Sequence, residues 1–407
     1  MTSPRSATPD RPAEATWRSW GIDPAWSRQL DVPSHDGSTH RWHLLDTGPG
    51  ESGAVTILCV HGNPTWAYAW KSFLDRFGSA HRVVAIDQLG MGYSERLDPS
   101  NGARRYADRV ADLADLTERL GLIDEASASG IVLAAHDWGG AIALGWAVDH
   151  ADDVAAMVLC NTGIAVPAGR RAPKIIRLAA SGPLRDLVCR RTSAFVEGTV
   201  RLSGRRITRQ DRIAFRAPYR HAEWRRSIAD FVGDIPLGDV TRDDDHPSAG
   251  ALVEVASKLD AIESPVLLAW GANDIVFDDD FAQDLLERLP NARLERFARA
   301  NHLVMAETDV VSAVDAFLRD LDDGSSEKPD DPAPSSVTAT TPSDSAITPR
   351  TGPTASTVFD GLRRREGDDA IAISDLAARE SIDFATFARR VDAVAAGLVR
   401  RGLAPGD

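Results

Sequence analysis

Cysteine is scarce: Cys59, Cys160 and Cys189 are the three in 407 residues. An odd, sparse set builds no disulfide framework. Cys59 and Cys160 sit inside apolar runs and read as buried thiols. Long apolar runs are also lacking. None approaches the ~18 residues that a membrane-spanning helix needs. The first residues, Met1-Thr2-Ser3-Pro4-Arg5, have no apolar stretch behind them. A secretory leader is therefore not expected, and the expected location is cytoplasmic. Excess positive charge is missing too. A net charge of −14 argues against a nucleic-acid partner. No Cys/His cluster has zinc spacing, so no metal is expected.

What is present is ordinary for a globular chain: 43% apolar and 26% charged residues. The length allows one large domain and something more. Residues 1–27 are polar and proline-bearing at first, and are expected to be disordered or loosely packed. From Arg28 to Thr47 two alternating runs flank Ser34-His35-Asp36-Gly37-Ser38, a hairpin signal. Strand and helix patterns then alternate. Val55–Val60, His81–Ile86, Ile131–Ala135 and Val154–Cys160 read as strands, with helices over Ala67–Phe77, Tyr106–Leu120 and Gly139–His150. Continuous apolar strands separated by amphipathic helices imply a mostly parallel, doubly wound α/β sheet.

The rhythm stops after Gly163. Residues 170–226 hold fifteen Arg and one Lys against Asp186, Glu197, Asp211 and Glu223, and they lack clear strands. Residues 164–248 therefore read as a helical cap inserted into the sheet domain. The βα pattern resumes within 249–323: strand Pro265–Trp270, helix Asp279–Leu289, strand Arg293–Phe297 and helix Asp309–Leu321. Residues 324–356 are rich in Pro, Ser, Thr and Asp and read as a linker. Phe384, Phe387, Val391, Val394, Leu398 and Val399 then follow a helical period. Too little chain remains there for a large core. Residues 357–407 are expected to be the truncated start of a second domain.

Asp137 is the focus of the chemistry. It lies in Ala135-His136-Asp137-Trp138-Gly139-Gly140, between an apolar strand and a helix. Strand, sharp turn with small residues, then helix is the signature of a nucleophile elbow. Its usual occupant is Ser. A carboxylate there attacks carbon and leaves an ester to the enzyme, which suits halides, epoxides or strained lactones. The backbone N–H of Trp138 is expected to face the reacting oxygen. His61-Gly62-Asn63-Pro64 closes the strand Val55–Val60 and is expected to give a second such N–H. His61 itself reads as structural. The side chains of Asn63 and Trp138 are both donors, and together they form a candidate site for a leaving anion.

His302, in Arg299-Ala300-Asn301-His302-Leu303, follows the last strand and is the candidate base. Asp274, after the strand Pro265–Trp270, is the candidate orienting acid. The order nucleophile, acid, histidine fits this architecture. Asp278, Asp279 and Asp280 are rivals that read better as helix N-terminal charges. The tip of the preceding core strand, Cys160-Asn161-Thr162, offers no carboxylate. Asp87–Ser94 is glycine-rich but lacks the Lys-Ser/Thr pair of a nucleotide loop, so no organic cofactor is expected.

These motifs resemble the haloalkane dehalogenase and epoxide hydrolase branch of the α/β-hydrolases. His61–Trp66, Asp87–Ser94, His136–Gly140, Trp270–Phe277 and Asn301-His302 carry the likeness, which covers roughly residues 28–322. Epoxide hydrolases of this branch use two cap tyrosines; this chain has four tyrosines, and within the cap only Tyr219. The Asn63/Trp138 pair resembles a dehalogenase halide site. The segment from Ile382 to Asp407 resembles the start of an adenylate-forming (AMP-binding) ligase. A dehalogenase-like domain joined to such a ligase resembles the OleBC fusions of bacterial long-chain olefin biosynthesis. That likeness implies a cis-β-lactone decarboxylase giving a cis-olefin and CO₂. It also implies a long-chain hydrophobic lactone as substrate, a fused adenylate-forming partner and a multi-enzyme assembly. Haloalkane dehalogenase is the alternative. Epoxide hydrolase and a non-catalytic receptor on the same fold stand further off. The role of the cap arginines stays open.

Overall fold

The computed structural model describes residues 8–322 apart from 52, 99, 101, 124–129, 168–169, 204–206 and 238–245, together with the strands Ile371–Asp375 and Glu380–Asp383. The main sheet has eight strands: β1 Ser27–Pro33, β2 Thr39–Asp46, β3 Thr56–Val60, β4 Arg82–Asp87, β5 Ile131–His136, β6 Val154–Cys160, β7 Val266–Gly271 and β8 Ala292–Phe297. Their spatial order is β1-β2-β4-β3-β5-β6-β7-β8. β1 and β2 pair antiparallel, as does β2 with β4; the others run parallel.

Residue chemistry accounts for the order. β5 and β7 are buried along their whole length, and β3 and β6 nearly so. Their Val, Ile, Leu and Ala side chains need cover on both faces, so these strands take the centre. β8 carries Arg293, Glu295 and Arg296, is largely exposed, and lies at the edge. Helices cover the faces: α1 Glu14–Ser19, α2 Lys71–Phe77, α3 Tyr106–Arg119 and α4 Trp138–Asp149. α4 is buried through Ala147. The parallel register aligns Val60 with Ala135 and Ile86, and His136 with Cys160. The carboxyl ends of β3, β4, β5 and β6 thereby share one edge, where α/β sheets bind ligands.

The insert between β6 and β7 is helical, as expected. It contains α5 Lys174–Ala180, a π-helical turn Asp186–Arg191, α6 Ala194–Leu202, α7 Arg209–Arg216 and α8 Arg226–Gly233. A further helix, α9 Ala249–Ala256, precedes β7, and α10 Asp279–Arg288 and α11 Val310–Asp322 complete the second part of the core.

The N-terminus departs from expectation. Residues 8–27 are not loose: Trp17, Trp20 and Ile22 are buried. Trp17 stacks on His43 with ring centroids 5.7 Å apart and meets Trp20, Trp66 and Tyr93. Indoles spaced three apart, one on the short helix α1 and one at its C-cap, supply an apolar face that the polar, proline-bearing composition concealed. All three cysteines are buried and free. Burial pushes the Cys59 and Cys160 thiols far above their usual range.

Contacts divide the chain into two units, Met1–Ser325 and Ser326–Asp407. In the second, Ile371–Asp375 and Glu380–Asp383 pair antiparallel. The expected linker and the helical pattern over Phe384–Val399 lie outside the described residues. No helix among the described residues is long and apolar enough to cross a membrane.

Candidate active site

The elbow is built by backbone strain and close packing. Asp137 has φ 53° and ψ −130°, one of two positive-φ residues other than glycine among the described residues. That conformation turns the chain sharply from β5 into α4. A Cβ on Gly139 would overlap the Val60 carbonyl, and one on Gly62 would overlap the Asp137 carboxyl. Both positions therefore need glycine.

The Asp137 carboxylate is anchored by backbone N–H groups. The Asn63 backbone N–H donates to Oδ1 at 2.6 Å, and the Trp138 backbone N–H also donates to the carboxylate. These are the two N–H groups expected at the elbow; in this state both serve the Asp137 carboxylate. Oδ2 lies 3.9 Å from His302 Nε2. On the other side of the imidazole, His302 Nδ1 is 2.9 Å from Asp274 Oδ2. Asp274 Oδ1 accepts the Val276 N–H at 2.8 Å, which fixes that carboxylate. Asp137, Asp274 and His302 are all buried. The structure thus brings together residues more than 160 positions apart.

Electrostatics follow from burial. Burial raises the Asp137 carboxyl above its usual value, opposed by His302 and by the two backbone N–H groups. Burial pulls His302 down, but Asp274 and then Asp137 outweigh it and carry the imidazole up to about 9. An imidazolium between two carboxylates is the state favoured near neutral pH. His136 beneath it stays neutral, held well below its usual value by burial and by His302. Its Nε2 donates to the His302 carbonyl at 2.9 Å.

The candidate anion donors are placed less simply. Trp138 lines the cavity, and among the described residues its indole N–H has no protein acceptor. The Asn63 carboxamide donates one N–H to the Ile228 carbonyl of the cap at 3.2 Å. A carboxamide has two N–H groups, so one remains. Asn63 therefore ties the cap to the core as well as facing the cavity. Phe231 of α8 packs on Trp138 with centroids 5.7 Å apart, and the buried Arg109 lies 3.4 Å over the other ring, Phe231.

The cavity above Asp137 has a volume of about 330 Å³. Its walls are mostly apolar, among them Ile176, Phe195, Val232, Leu252 and Phe277. Tyr219 is not among the lining residues. Its hydroxyl donates to the Thr65 carbonyl at 2.6 Å and accepts from the Gly92 N–H at 3.2 Å. The single cap tyrosine is a strut.

The rival groups have other duties. Asp278 accepts from the Asp280 N–H at the start of α10; Asp279 pairs with Arg296 and Asp280 with Arg170. His61 is buried: Nε2 accepts the Gln88 N–H at 3.0 Å while Nδ1 bonds the Gly62 carbonyl at 2.8 Å. Asn161, at the tip of β6, accepts the Gly271 N–H at 2.7 Å and donates back to its carbonyl at 3.1 Å. It clamps β6 to β7 where an acid would otherwise stand. Sequence reading missed Glu307. Its carboxylate accepts the backbone N–H of Asn301 at 2.9 Å and of Leu303 at 3.0 Å, on both sides of His302. The usable signal was an acid five residues after the histidine, close enough to cap the loop N–H groups.

An Asp on a strained elbow, a histidine and acid behind it, and a helical cap over an eight-stranded sheet define a class. The family described as alpha/beta hydrolase fold matches residues 55–309, and the chain belongs to it. Among curated relatives, the cis-3-alkyl-4-alkyloxetan-2-one decarboxylase of Xanthomonas campestris is 33% identical over 285 residues, 67% of this chain and 91% of the relative. The enzyme of the same name from Shewanella oneidensis is 27% identical over 289 residues, 70% of this chain and 86% of the relative. Haloalkane dehalogenase 2 of Mycobacterium bovis is 31% identical over 270 residues, 63% of this chain and 86% of the relative. The crystal structure of a haloalkane dehalogenase from Bradyrhizobium elkani superimposes with a TM-score of 0.61 at 22% identity, covering 74% of this chain and 99% of that one. That structural likeness speaks for the fold. The chain is an enzyme of this family.

Proposed function

We propose that the enzyme converts a cis-3,4-dialkyl β-lactone into a cis-alkene and CO₂, with Asp137 as nucleophile. The observation that carries this reading is the Asp137 carboxylate lining an apolar cavity, held by two backbone N–H groups, with Asn63 on Oδ1 and His302 beside Oδ2. The curated relatives named for that lactone support it.

Asp137 Oδ2 attacks the ring carbon that bears oxygen, with inversion. The C–O ring bond breaks, and its electrons go to a new carboxylate. The remaining N–H of Asn63 and the indole N–H of Trp138 receive that anion. Loss of CO₂ then supplies the C–C electron pair for the alkene, and the bond to Asp137 breaks. Inversion followed by anti elimination preserves the cis relation. No water is consumed. His302 stays protonated and stabilises both carboxylates, while Asp274 orients it. Attack at the carbonyl, giving an anhydride, is the rival route.

The same set suits hydrolytic C–halogen cleavage, and the Asn63/Trp138 donors favour it as the second reading. An oxirane would need a proton donor over the cavity, and Tyr219 is engaged elsewhere. The fused adenylate-forming partner and a multi-enzyme assembly, carried by the resemblance of residues 382–407, belong to this proposal, as does a cytoplasmic location. The test is direct. The full chain is incubated with a cis-dialkyl β-lactone and separately with a long-chain bromoalkane, and alkene, CO₂ and bromide are measured. Alkene and CO₂ from the lactone are expected, faster than bromide release. Faster bromide release would favour the dehalogenase reading. Alkene or bromide still formed at the wild-type rate by an Asp137→Ala variant sinks both.

A further inference from the structure

The cavity opens through an apolar rim. Among the described residues seven large hydrophobic side chains are exposed, and four of them, Ile175, Leu178, Leu202 and Ile275, line the cavity. Three of these four belong to the cap. Exposed apolar side chains gathered at a cavity mouth mark a surface that meets something.

Charge says what it meets. Residues 170–202 carry seven Arg and one Lys against Asp186 and Glu197, in a chain of net charge −14. Both acids are occupied: Asp186 by Arg190 and Arg191, Glu197 by Arg216. Arg171, Lys174 and Arg201 are exposed, and among the described residues none of them has an ion pair. Lys174, Ile175 and Leu178 are spaced to share one face of α5, and Arg201 adjoins Leu202. Cations interleaved with exposed aliphatics are the composition of an interfacial element that lies on an anionic bilayer. The exposed rim residues are all aliphatic, whereas protein–protein interfaces favour aromatic anchors.

We infer that the cap face around the cavity mouth docks on an anionic lipid surface, so that apolar ligands pass between bilayer and cavity without crossing water. The inference needs only the apolar cavity, not the lactone reading. The full chain should co-sediment with vesicles of phosphatidylcholine mixed with phosphatidylglycerol at low salt. It should not co-sediment with phosphatidylcholine alone, and high salt should release it. Lys174→Glu with Arg201→Glu should weaken the partitioning by at least about tenfold, given the attraction of each basic residue to the surface. Leu187→Ser, at an exposed cap position outside the cavity, should weaken it as well. Both variants should keep the wild-type melting temperature and wild-type turnover of a water-soluble short-chain substrate. No sedimentation with anionic vesicles would overturn the inference, as would equal sedimentation of the charge-reversed variant. Self-association through this face without vesicle binding would overturn it too, and would assign the face to a second copy. Failure of lactone turnover with vesicle binding intact would count against the proposed reaction alone.

Discussion

Asp137 and His302 set each other's charge. His302 keeps its proton because Asp274 and Asp137 both face it. Asp137→Asn removes one of those carboxylates. The His302 pKa should then fall below about 9, as read by NMR titration of its ring protons, and turnover should drop by about 10⁴-fold. A His302 titration unchanged in that variant would break the coupling argued here. The sign of the stability effect follows from linkage. A histidine raised above its unfolded value contributes stability that is fully present below about pH 6.5 and is lost as pH rises through about 9. The wild type should therefore lose on the order of 3 kcal/mol across that window, and His302→Gln should not, as measured by urea unfolding. Activity separates the two chemical readings in the same window. Decarboxylation that uses a protonated His302 declines above about pH 9. Ester hydrolysis needs a neutral imidazole after Asp137 has lost its charge, so it persists there.

At the scale of elements, Tyr219 joins cap to core by hydrogen bonds and does not line the cavity. Tyr219 bonds Thr65 and Gly92 on core loops. Tyr219→Phe should lower the melting temperature by about 2–6 °C, the loss of one buried hydrogen-bonding hydroxyl. It should leave kcat unchanged, and a collapse of kcat would restore an acid role for this tyrosine. The core strands and flanking helices were legible in the sequence, because apolar runs of strand length and 3.6-residue periodicity are local signals. The positions of Asp137, His302 and Asp274 were legible for a related reason: each follows the end of a strand, and the parallel sheet brings strand ends to one edge. Glu307 was not, because it acts on loop N–H groups that only the folded backbone presents. Asn63 was read as a pure anion donor, yet half of its carboxamide donation goes to Ile228, a contact 165 residues away. Residues 8–27 were misread because Trp17 and Trp20, two apolar side chains among many polar ones, carry no periodic signal. Their burial is set by His43, Trp66 and Tyr93, far along the chain.

For the whole molecule, the question is which part of the chain is the folding unit. Contacts close on themselves within Met1–Ser325, and that unit holds the sheet, the cap and the cavity. Its hydrophobic core runs from Trp17 to Phe317, so both ends of the unit are tied in by buried side chains. A chain ending at Ser325 should therefore unfold in one cooperative transition, with the melting temperature and turnover of the longer chain. Shortening the other end should behave differently. A chain that begins at Asp23 loses the buried Trp17, Trp20 and Ile22, of which the two indoles pack against His43, Trp66 and Tyr68. Removing Trp17 alone, as Trp17→Ala, should cost about 3–5 kcal/mol, because it leaves a cavity among aromatic rings that cannot close over it. Calorimetry of the two truncations and of Trp17→Ala tests both ends together. A stable N-terminal truncation would show that the tryptophan helix is an appendage. A C-terminal truncation that fails to fold would show that residues beyond Ser325 complete the core.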